Sequence, residues 1–543
     1  MNVVSGSLKS GSALADDYIK RFSQVQHLYG ADFNQTSSWE KRAEWLDETE
    51  QNRVSRDELF ECLTQYNGKH NSHEAVHTSL ELLKKPGTLA VVGGQQSGLF
   101  TGSLLVIYKA VTIIQSAKEA QEKLGRPVVP VFWIAGEDHD WDEVNHTYLM
   151  TPELKVSKIK MDAQPGPRSS VSQISVKSEQ WRQALEKLGS ILPDSEHKSD
   201  ILHLLRQSTE ESNNLSDAFA KLMGHLFGEH GLILLDSADP ELRKLEMPLF
   251  ETIIDRNDDL EKAYQASASR ITSQGYSLQA EVAEDGANLF YIHEGNRFLL
   301  FKQNGYFADR KGVISFTKEE IKDCIRTHPE RFSNNVLTRP LMQDTILPVL
   351  SSVLGQGEIS YWALTKDAFE VLGMSMPILL PRMSFTLVEG TLQKYMDQFG
   401  ISFQDVQYRL EDLRQTWLSQ QDTQQIQPKF EQTKQAFEAL YDPLIHELAQ
   451  TQPGLTKLGE TNKNKIMEQI AFLQRKSKEA LEKRNDAGLR QWDRIGVSLF
   501  PLGKPQERVY NIFYYLNRFG ISWINDLINI SEHYSAEHRI IQL

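Results

Sequence analysis

The sequence predicts an α/β protein in which a parallel sheet forms the core and a long antiparallel pair of helices forms a second part. Short, continuous apolar runs recur over residues 1–386, which is typical of strands buried on both faces. A narrow apolar seam with helical spacing then runs through residues 387–486. Residues 487–543 return to a compact pattern, and we expect this segment to rejoin the core.

The clearest element is a strand–helix–strand unit over about residues 88–135. A buried strand at Thr88–Val92 leads into the glycine-rich loop Gly93–Gly102, and apolar residues at helical spacing predict a helix over Leu104–Leu124. A second buried strand follows at Pro127–Ile134. Such a unit implies parallel strands joined by a right-handed crossover.

Further elements of the core follow from similar patterns. Gly231–Asp236 predicts a buried strand that ends in a carboxylate, and Phe290–Phe301 predicts a β-hairpin with its turn at Gly295. Pro377–Pro381 predicts another strand, whereas the apolar run Ile346–Val353 predicts a helix.

The helical arm is predicted from its apolar spacing. Apolar residues stand three and four positions apart on both sides of a turn near Pro453–Gly454, with Gln, Lys and Glu between them. The seam is too narrow to pack against a large core, so we expect a partner helix. The partner is either the other helix of the same chain or a second copy in a homodimer, and the sequence leaves both open.

Composition excludes several classes of protein. The 543 residues carry 59 Lys and Arg against 73 Asp and Glu, a net charge of −14, which argues against a general nucleic-acid binder. The two cysteines, Cys62 and Cys324, exclude a disulfide framework and a cysteine-based zinc site. We find neither a signal peptide nor a membrane-spanning run, so we expect a cytoplasmic protein.

An acidic cluster follows the second strand of the unit. Glu137, Asp138, His139 and Asp140 stand where ligands bind in parallel sheets, and we predict that they are catalytic. Asp138 or His139 could take the proton from an attacking amine. A divalent metal held by Asp138, His139 and His146 is an alternative, and a solvated helix start is another. We favour proton or substrate handling and predict no metal.

Two other clusters are candidates for substrate binding. The glycine-rich loop lets the backbone approach a ligand, and the following helix offers N–H groups to an anion, although the spacing fits neither the dinucleotide fingerprint nor the Walker loop. The second cluster could form the wall of a polar pocket, with an arginine for a carboxylate. The predicted substrate-binding residues are Gly94, Gln95, Gln96, Gly98, Thr101, Gln343, Asp344, Glu358, Tyr361 and Arg382.

A fourth cluster near the end of the chain combines cations, aromatic residues and glycine. This combination suits a phosphate and a stacked base, so we predict a nucleotide site there. Carboxylates at the strand ends would repel a triphosphate, which is a second reason to place the nucleotide away from them. The predicted nucleotide-binding residues are Arg490, Trp492, Lys504, Gln506, Arg508, Tyr510 and Asn511.

Taken together, these stretches resemble the bacillithiol biosynthesis cysteine-adding enzymes, a family of cysteine ligases. The resemblance covers essentially the whole chain, with Ser103 standing where the family often has proline. It is carried by Gly94-Gln95-Gln96-x-Gly98-Leu99-x-x-Gly102, Trp133-x-x-x-Glu137-Asp138-x-Asp140, Gln343-Asp344 with Gly357-Glu358, and Gly503-Lys504-x-Gln506-Glu507-Arg508.

The resemblance implies a Rossmann-like core with inserted connecting segments and a coiled-coil domain that makes a homodimer. It also implies ligation of the cysteine carboxyl group to the amine of glucosaminyl-malate, and binding of ATP or ADP. The chain lacks the His-x-Gly-His signature of nucleotidyltransferases, so adenylation by that mechanism is not expected. The alternatives are a nucleotide-binding scaffold or sensor that dimerises through its arms, and a metal-dependent hydrolase.

Overall fold

The computed structural model describes residues 2–9, 11–162, 169–530 and 534–543, which fall into two compact units. The core unit comprises Met1–Leu387 and Leu502–Gln542, and the helical unit comprises Val388–Pro501 with Leu543. The sequence placed the return to the core at residue 487. In the structure residues 487–501 belong to the helical unit, because the last helix of that unit continues to Leu499.

The strands come from distant parts of the chain. In chain order they are β1 (Asn2–Gly6), β2 (Leu89–Gln95), β3 (Val128–Ile134), β4 (His146–Met150), β5 (Val156–Lys160), β6 (Ile233–Asp236), β7 (Gly286–His293), β8 (Asn296–Gln303), β9 (Tyr306–Ala308), β10 (Ser315–Phe316), β11 (Phe332–Asn334), β12 (Val349–Leu354), β13 (Ile378–Pro381), β14 (Ser384–Val388) and β15 (His538–Gln542).

Helices connect these strands and form the whole of the helical unit apart from its loops. In chain order they are α1 (Ala13–Lys20), α2 (Phe22–Val25), α3 (Thr36–Glu48), α4 (Arg56–His70), α5 (Glu74–Leu83), α6 (Leu104–Leu124), α7 (Trp141–Val144), α8 (Ser178–Ile191), α9 (Lys198–Glu210), α10 (Leu215–Phe227), α11 (Pro240–Asp255), α12 (Asn257–Ser273), α13 (Lys318–Thr327), α14 (Arg339–Ile346), α15 (Gln356–Trp362), α16 (Lys366–Val371), α17 (Gly390–Phe399), α18 (Phe403–Gln420), α19 (Ile426–Thr451), α20 (Gly454–Arg484), α21 (Asp486–Leu499), α22 (Phe513–Phe519) and α23 (Trp523–Ile528).

A parallel five-stranded sheet forms the centre of the core unit, in the order β13-β12-β2-β3-β6. All residues of β3 are buried, and α6 provides the crossover from β2 to β3, as predicted. The helix predicted over Ile346–Val353 is wrong, because β12 occupies most of this run. Every residue of β12 is buried, so both faces of the strand are covered. A short, continuous apolar run of this kind has the same sequence pattern in a buried strand and in a buried helix.

Smaller antiparallel sheets are inserted around this parallel sheet. The predicted hairpin at Phe290–Phe301 is formed by β7 and β8 within a sheet of order β10-β9-β8-β7-β11. The C-terminal strand β15 pairs between β1 and β14, so the two ends of the chain meet in one small sheet. The inserted hairpin carries Arg297, on β8, to His139 at the carboxyl edge of the parallel sheet.

The helical unit contains the predicted antiparallel coiled coil. Helices α19 and α20 pack against each other on either side of the turn at Gln452–Pro453, and Gly459 of one helix faces Ile445 of the other. The apolar side chains of this pair are not all covered: Leu440 and Leu458 are 77% and 63% exposed. Within the described parts of the chain, no helix is long and apolar enough to span a membrane.

Candidate active site

The loops that follow the parallel strands converge at the carboxyl edge of the sheet, where close backbone packing shapes them. A Cβ atom on Gly94 would lie 2.6 Å from the carbonyl oxygen of Trp133 on the adjacent strand. A Cβ on Gly136 would lie 2.0 Å from Ser172 Oγ and 2.3 Å from Asp236 Oδ1. Glycine is therefore required at both positions for the backbones to approach this closely.

Buried hydroxyl groups link the ends of three neighbouring strands. Ser97, after β2, lies 2.7 Å from Ser216 Oγ, which lies 2.8 Å from Ser172 Oγ. Ser172 donates a 2.7 Å hydrogen bond to Asp236 at the end of β6, and Asp236 also accepts the Gly136 N–H. Burial raises the pKa of Asp236 to about 6. This network fixes the turn that carries the predicted catalytic residues.

The side chains of Gln95 and Gln96 have different surroundings. Gln96 Nε2 donates to Asp138 Oδ2 at 2.6 Å and to Glu143 Oε2 at 3.0 Å. Gln95 Oε1 accepts from Lys109 Nζ at 3.1 Å. The loop after β2 is thus tied both to the acidic turn and to a buried lysine.

Lys109 is a cation on α6 that the sequence reasoning missed. Its side chain is 1% exposed, and its ammonium group donates to the Gly94 carbonyl at 2.7 Å and to Glu358 Oε2 at 2.6 Å. Burial lowers the pKa of Lys109, while Glu358 acts in the opposite direction. A lysine at a buried position of an apolar helix is the signal that could have revealed it, since lysine is almost never fully buried unless paired.

Glu137 points into the protein and forms a buried ion pair. Its carboxylate accepts from Arg243 Nη2 at 2.6 Å, and Arg243 also pairs with Glu246. Burial raises the pKa of Glu246 to about 7, with Arg243 opposing this rise. Glu137, one of the predicted catalytic residues, is therefore engaged by Arg243, and this ion pair holds the start of the acidic turn in place.

Asp138, His139 and Asp140 are half-buried at the mouth of the site. Arg297 of β8 lies with Nη1 3.2 Å from His139 Nδ1, and its Nε and Nη2 donate to Ser333 Oγ and the Asn334 carbonyl. Because arginine only donates, His139 Nδ1 acts as the acceptor, which places the proton on Nε2. The contact with Arg297 therefore occupies the acceptor nitrogen of the neutral ring.

Arg339 of α14 is a fourth cation at this edge, after Lys109, Arg243 and Arg297, and has unused donors. Its Nη2 donates to the Tyr361 hydroxyl at 2.7 Å, and its other N–H groups have no protein partner among the described residues. Its charge interacts with those of Glu358 and Glu137, and also with that of Arg297. Gln343 follows one helical turn later and is buried.

These cations correct an electrostatic expectation. The sequence suggested strand ends dominated by carboxylates, from which a triphosphate would be repelled. In the structure Lys109, Arg243, Arg297 and Arg339 stand among those carboxylates. Two of the four cations are already paired, Lys109 with Glu358 and Arg243 with Glu137 and Glu246, so the repulsion of a triphosphate is weaker than the sequence suggested but is not removed.

Two predicted substrate-binding residues make ion pairs inside the core unit. Asp344 is fully buried and pairs with Arg42, so it does not offer its carboxylate to the strand-end site. Arg382 donates to both oxygens of Glu507, at 2.6 and 3.2 Å. Burial acts to raise the pKa of Glu507, but Arg382 together with His538 and Ser384 outweighs it and the pKa is lowered.

Gly98 and Thr101 shape the loop rather than presenting polar side chains. A Cβ on Gly98 would lie 2.8 Å from Gly102 Cα, so the two ends of the loop are in contact. Thr101 is fully buried and has a φ of 72°, in the left-handed region. The expectation that the following helix offers free N–H groups is wrong at Leu104, whose N–H is bonded to the Tyr510 carbonyl at 2.8 Å.

The predicted nucleotide-binding residues are divided between the two units. Trp492 is buried in the helical unit, stacked on Phe399 at 4.6 Å, and Arg490 is exposed there beside Asp486. Lys504 and Arg508 are exposed on the core unit.

The other three residues of that set serve the protein itself. Tyr510 is buried, Gln506 exchanges two hydrogen bonds with the backbone of Leu387, and the Asn511 amide bonds the carbonyls of Phe100 and Gly102. The set as a whole does not fit a stacked base, because both candidate rings are already covered. The metal alternative also lacks a site: among the described residues, no group of three or more His, Cys, Asp or Glu is arranged to hold an ion.

Comparison with known proteins accounts for the whole chain. The family described as "Bacillithiol biosynthesis BshC, N-terminal Rossmann-like domain" matches residues 1–383. The family described as "Bacillithiol biosynthesis BshC, C-terminal coiled-coil domain" matches residues 385–543. The Rossmann-like core and the coiled coil implied by the resemblance are thus confirmed.

Proteins named "Putative cysteine ligase BshC" are similar over their full length. The one from Bacillus cytotoxicus is 34% identical over 528 residues, which are 97% of either chain. The one from Bacillus velezensis is 33% identical over 544 residues and all of either chain, and one from Bacillus cereus is 35% identical over 530 residues and 97% of either chain. These matches do not favour the scaffold or hydrolase alternatives, and the chain belongs to the BshC family of bacillithiol biosynthesis proteins.

Proposed function

We propose that this protein joins the carboxyl group of cysteine to the amine of glucosaminyl-malate, giving bacillithiol. The new C–N bond replaces a C–O bond of the cysteine carboxyl group, whose oxygen leaves with the group that activates it. The relatives' name, cysteine ligase, supports the reaction class. The observation that carries the proposal is Arg339, a half-buried side chain beside the acidic turn whose guanidinium has unused donors among the described residues. Malate brings two carboxylates, and a guanidinium binds a carboxylate through two parallel hydrogen bonds.

Asp138 is the residue we propose for proton transfer. The attacking amine must lose a proton as the amide bond forms, and a carboxylate at the mouth of the site can accept it. Gln96 holds Asp138 Oδ2, and the His139 backbone N–H holds Oδ1, so the carboxylate is oriented from both sides. His139 is bonded to Arg297 and is proposed to help hold that arginine near the substrate.

A nucleotide, ATP or ADP, is a separate proposal, and we derive no step through it. Lys504 and Arg508 are the exposed cations of the predicted set in the core unit, and they are the proposed phosphate contacts. Calorimetric titration of ADP into Lys504→Ala and Arg508→Ala tests this placement. Loss of binding in Gln95→Ala, with both cation variants unchanged, would move the nucleotide to the strand-end site.

We also propose that the protein is a homodimer in the cytoplasm. The exposed leucines of α19 and α20 form an apolar surface that a second copy of the arm could cover. A biosynthetic reaction on small molecules is consistent with the cytoplasm.

The decisive experiment is incubation of the purified protein with cysteine, glucosaminyl-malate and ATP, followed by mass spectrometry. Formation of bacillithiol supports the proposal, and the same samples show whether AMP or ADP accompanies it. Absence of the product under conditions where the protein is folded would refute the ligase assignment. The Asp138→Asn variant is the matched control, since it preserves the shape of the side chain and removes the proposed base.

A further inference from the structure

The loop that joins β2 to α6 contains an unfavourable backbone conformation. Phe100, Thr101 and Gly102 have φ values of 51°, 72° and 71° in succession. A β-branched residue such as Thr101 is a genuine outlier at positive φ. Its hydroxyl is also buried, with no hydrogen-bond partner among the residues that the structure describes. Such a conformation persists only where the surrounding structure imposes it.

Asn511 supplies this constraint from the far end of the sequence. Its side chain is fully buried, and Nδ2 lies 2.7 Å from the Phe100 carbonyl and 2.7 Å from the Gly102 carbonyl. Nδ2 also lies 3.0 Å from Thr147 Oγ1, so its two N–H groups are shared among three acceptors, two of which are the carbonyls on either side of Thr101. Asn511 is itself fixed by two further hydrogen bonds. Its side-chain Oδ1 accepts from the Phe513 backbone N–H, and its backbone N–H donates to the Tyr148 carbonyl.

The clamped loop is continuous with the acidic turn. Gly102 is in contact with Gly98, where no Cβ would fit. Two residues before Gly98, Gln96 donates the 2.6 Å hydrogen bond to Asp138. A displacement of Gly102 must therefore be transmitted to Gly98 and change how Gln96 orients the Asp138 carboxylate.

We propose that Asn511 is a positioning residue for the active site, holding the strained Phe100–Gly102 segment so that Gln96 orients Asp138. The catalytic part of this proposal rests on the proposed ligase function. The role differs from the nucleotide contact that the sequence predicted for Asn511. The proposal predicts that loss of the Asn511 side chain has a large effect only while Thr101 is held at an unfavourable positive φ.

The test is a double-mutant cycle with Asn511→Ala and Thr101→Gly, read by hydrogen exchange and by steady-state kinetics. Asn511→Ala should speed amide exchange in residues 96–104 about tenfold and lower kcat about tenfold, because both carbonyls lose the Asn511 amide and the Gly102 carbonyl retains the longer 3.4 Å hydrogen bond from the Thr147 hydroxyl. Glycine has no penalty at positive φ, so the combined variant should recover most of both losses. If Asn511→Ala does not fold, recovery of folded protein in the combined variant supports the proposal, and failure to recover overturns it.

The matched control is Asn517→Ala. Asn517 is also fully buried on the C-terminal segment, but it holds a different loop through Pro193 and Ser195. It should lower stability and leave exchange at residues 96–104 unchanged. Strictly additive effects of the first two substitutions, or equal exchange changes in Asn517→Ala, would overturn the proposal. Hydrogen exchange at residues 96–104 can be measured without any catalytic activity. If the wild-type protein has no ligase activity, the proposed function is refuted, but the effect of Asn511 on this loop can still be measured.

Discussion

Replacing Arg339 by lysine should weaken binding of the malate-bearing substrate and leave the fold intact. Within the described part of the chain the guanidinium makes one hydrogen bond, to Tyr361, so its remaining donors can hold a carboxylate as a fork. Lysine keeps the charge but loses the second parallel bond. A hydrogen bond to a charged group contributes about 1.5–3 kcal/mol, so KM for glucosaminyl-malate should rise about 10- to 100-fold.

The assay is product formation by mass spectrometry over a range of glucosaminyl-malate concentrations, with cysteine and ATP fixed. We expect kcat to change little, because the bond is made equally in the ground and transition states. Glucosamine without the malate group should be used similarly by the wild type and Arg339→Lys. This comparison separates a carboxylate contact from general damage to the site.

Arg42→Lys is the matched control for damage to the fold. Arg42 is a buried arginine of the same unit, bonded to Asp344 and to the Val349 carbonyl. This variant should lower the melting temperature without raising KM. An unchanged KM in Arg339→Lys, or an equal rise in Arg42→Lys, would refute the assignment of Arg339 to the substrate.

Three further predictions address catalysis, stability and assembly. Asp138→Asn should lower kcat by about two orders of magnitude, whereas His139→Gln should have a smaller effect; equal losses in the two would contradict the choice of base. His538 is buried and its pKa is lowered to about 4, so its neutral form stabilises the fold above about pH 6.5 and this stabilisation is lost as the pH falls toward 4. Between pH 7 and pH 5, the free energy of unfolding of the wild type relative to His538→Gln should fall by about 2 kcal/mol in urea titrations, and a constant difference would refute this linkage. Leu440→Glu with Leu444→Glu should give a monomer by light scattering with unchanged helicity, and a persistent dimer would show that this surface is not the interface.

The parts of the fold that depend on local pattern could be predicted from the sequence. The boundaries of α6 agree with the prediction, because amphipathic spacing is bounded there by the glycine-rich loop and by Gly125 in a left-handed cap. The coiled-coil turn near Pro453 is similarly local. β12 was missed because burial on both faces removes the alternation that distinguishes a strand.

The meeting of these cations at the candidate site could not be predicted, because they come from separate elements. Arg297 arrives on the inserted hairpin and Arg339 on α14, while Lys109 reaches the site from within α6. The acidic turn was visible because its residues are adjacent in the chain. A single sequence reveals clustered charge only where the cluster is contiguous, so it overstated the negative potential of the strand ends.

The C-terminal cluster shows why polar composition alone does not identify a ligand site. Gln506, Glu507 and Asn511 stand in a buried segment, where each polar group must find a hydrogen-bond partner. A ligand is one such partner, but a distant backbone is equally suitable. Here the partners are Leu387, Arg382 and the glycine-rich loop. The segment therefore contributes to the site by fixing a loop of the core. The double-mutant cycle of Asn511→Ala and Thr101→Gly measures this contribution.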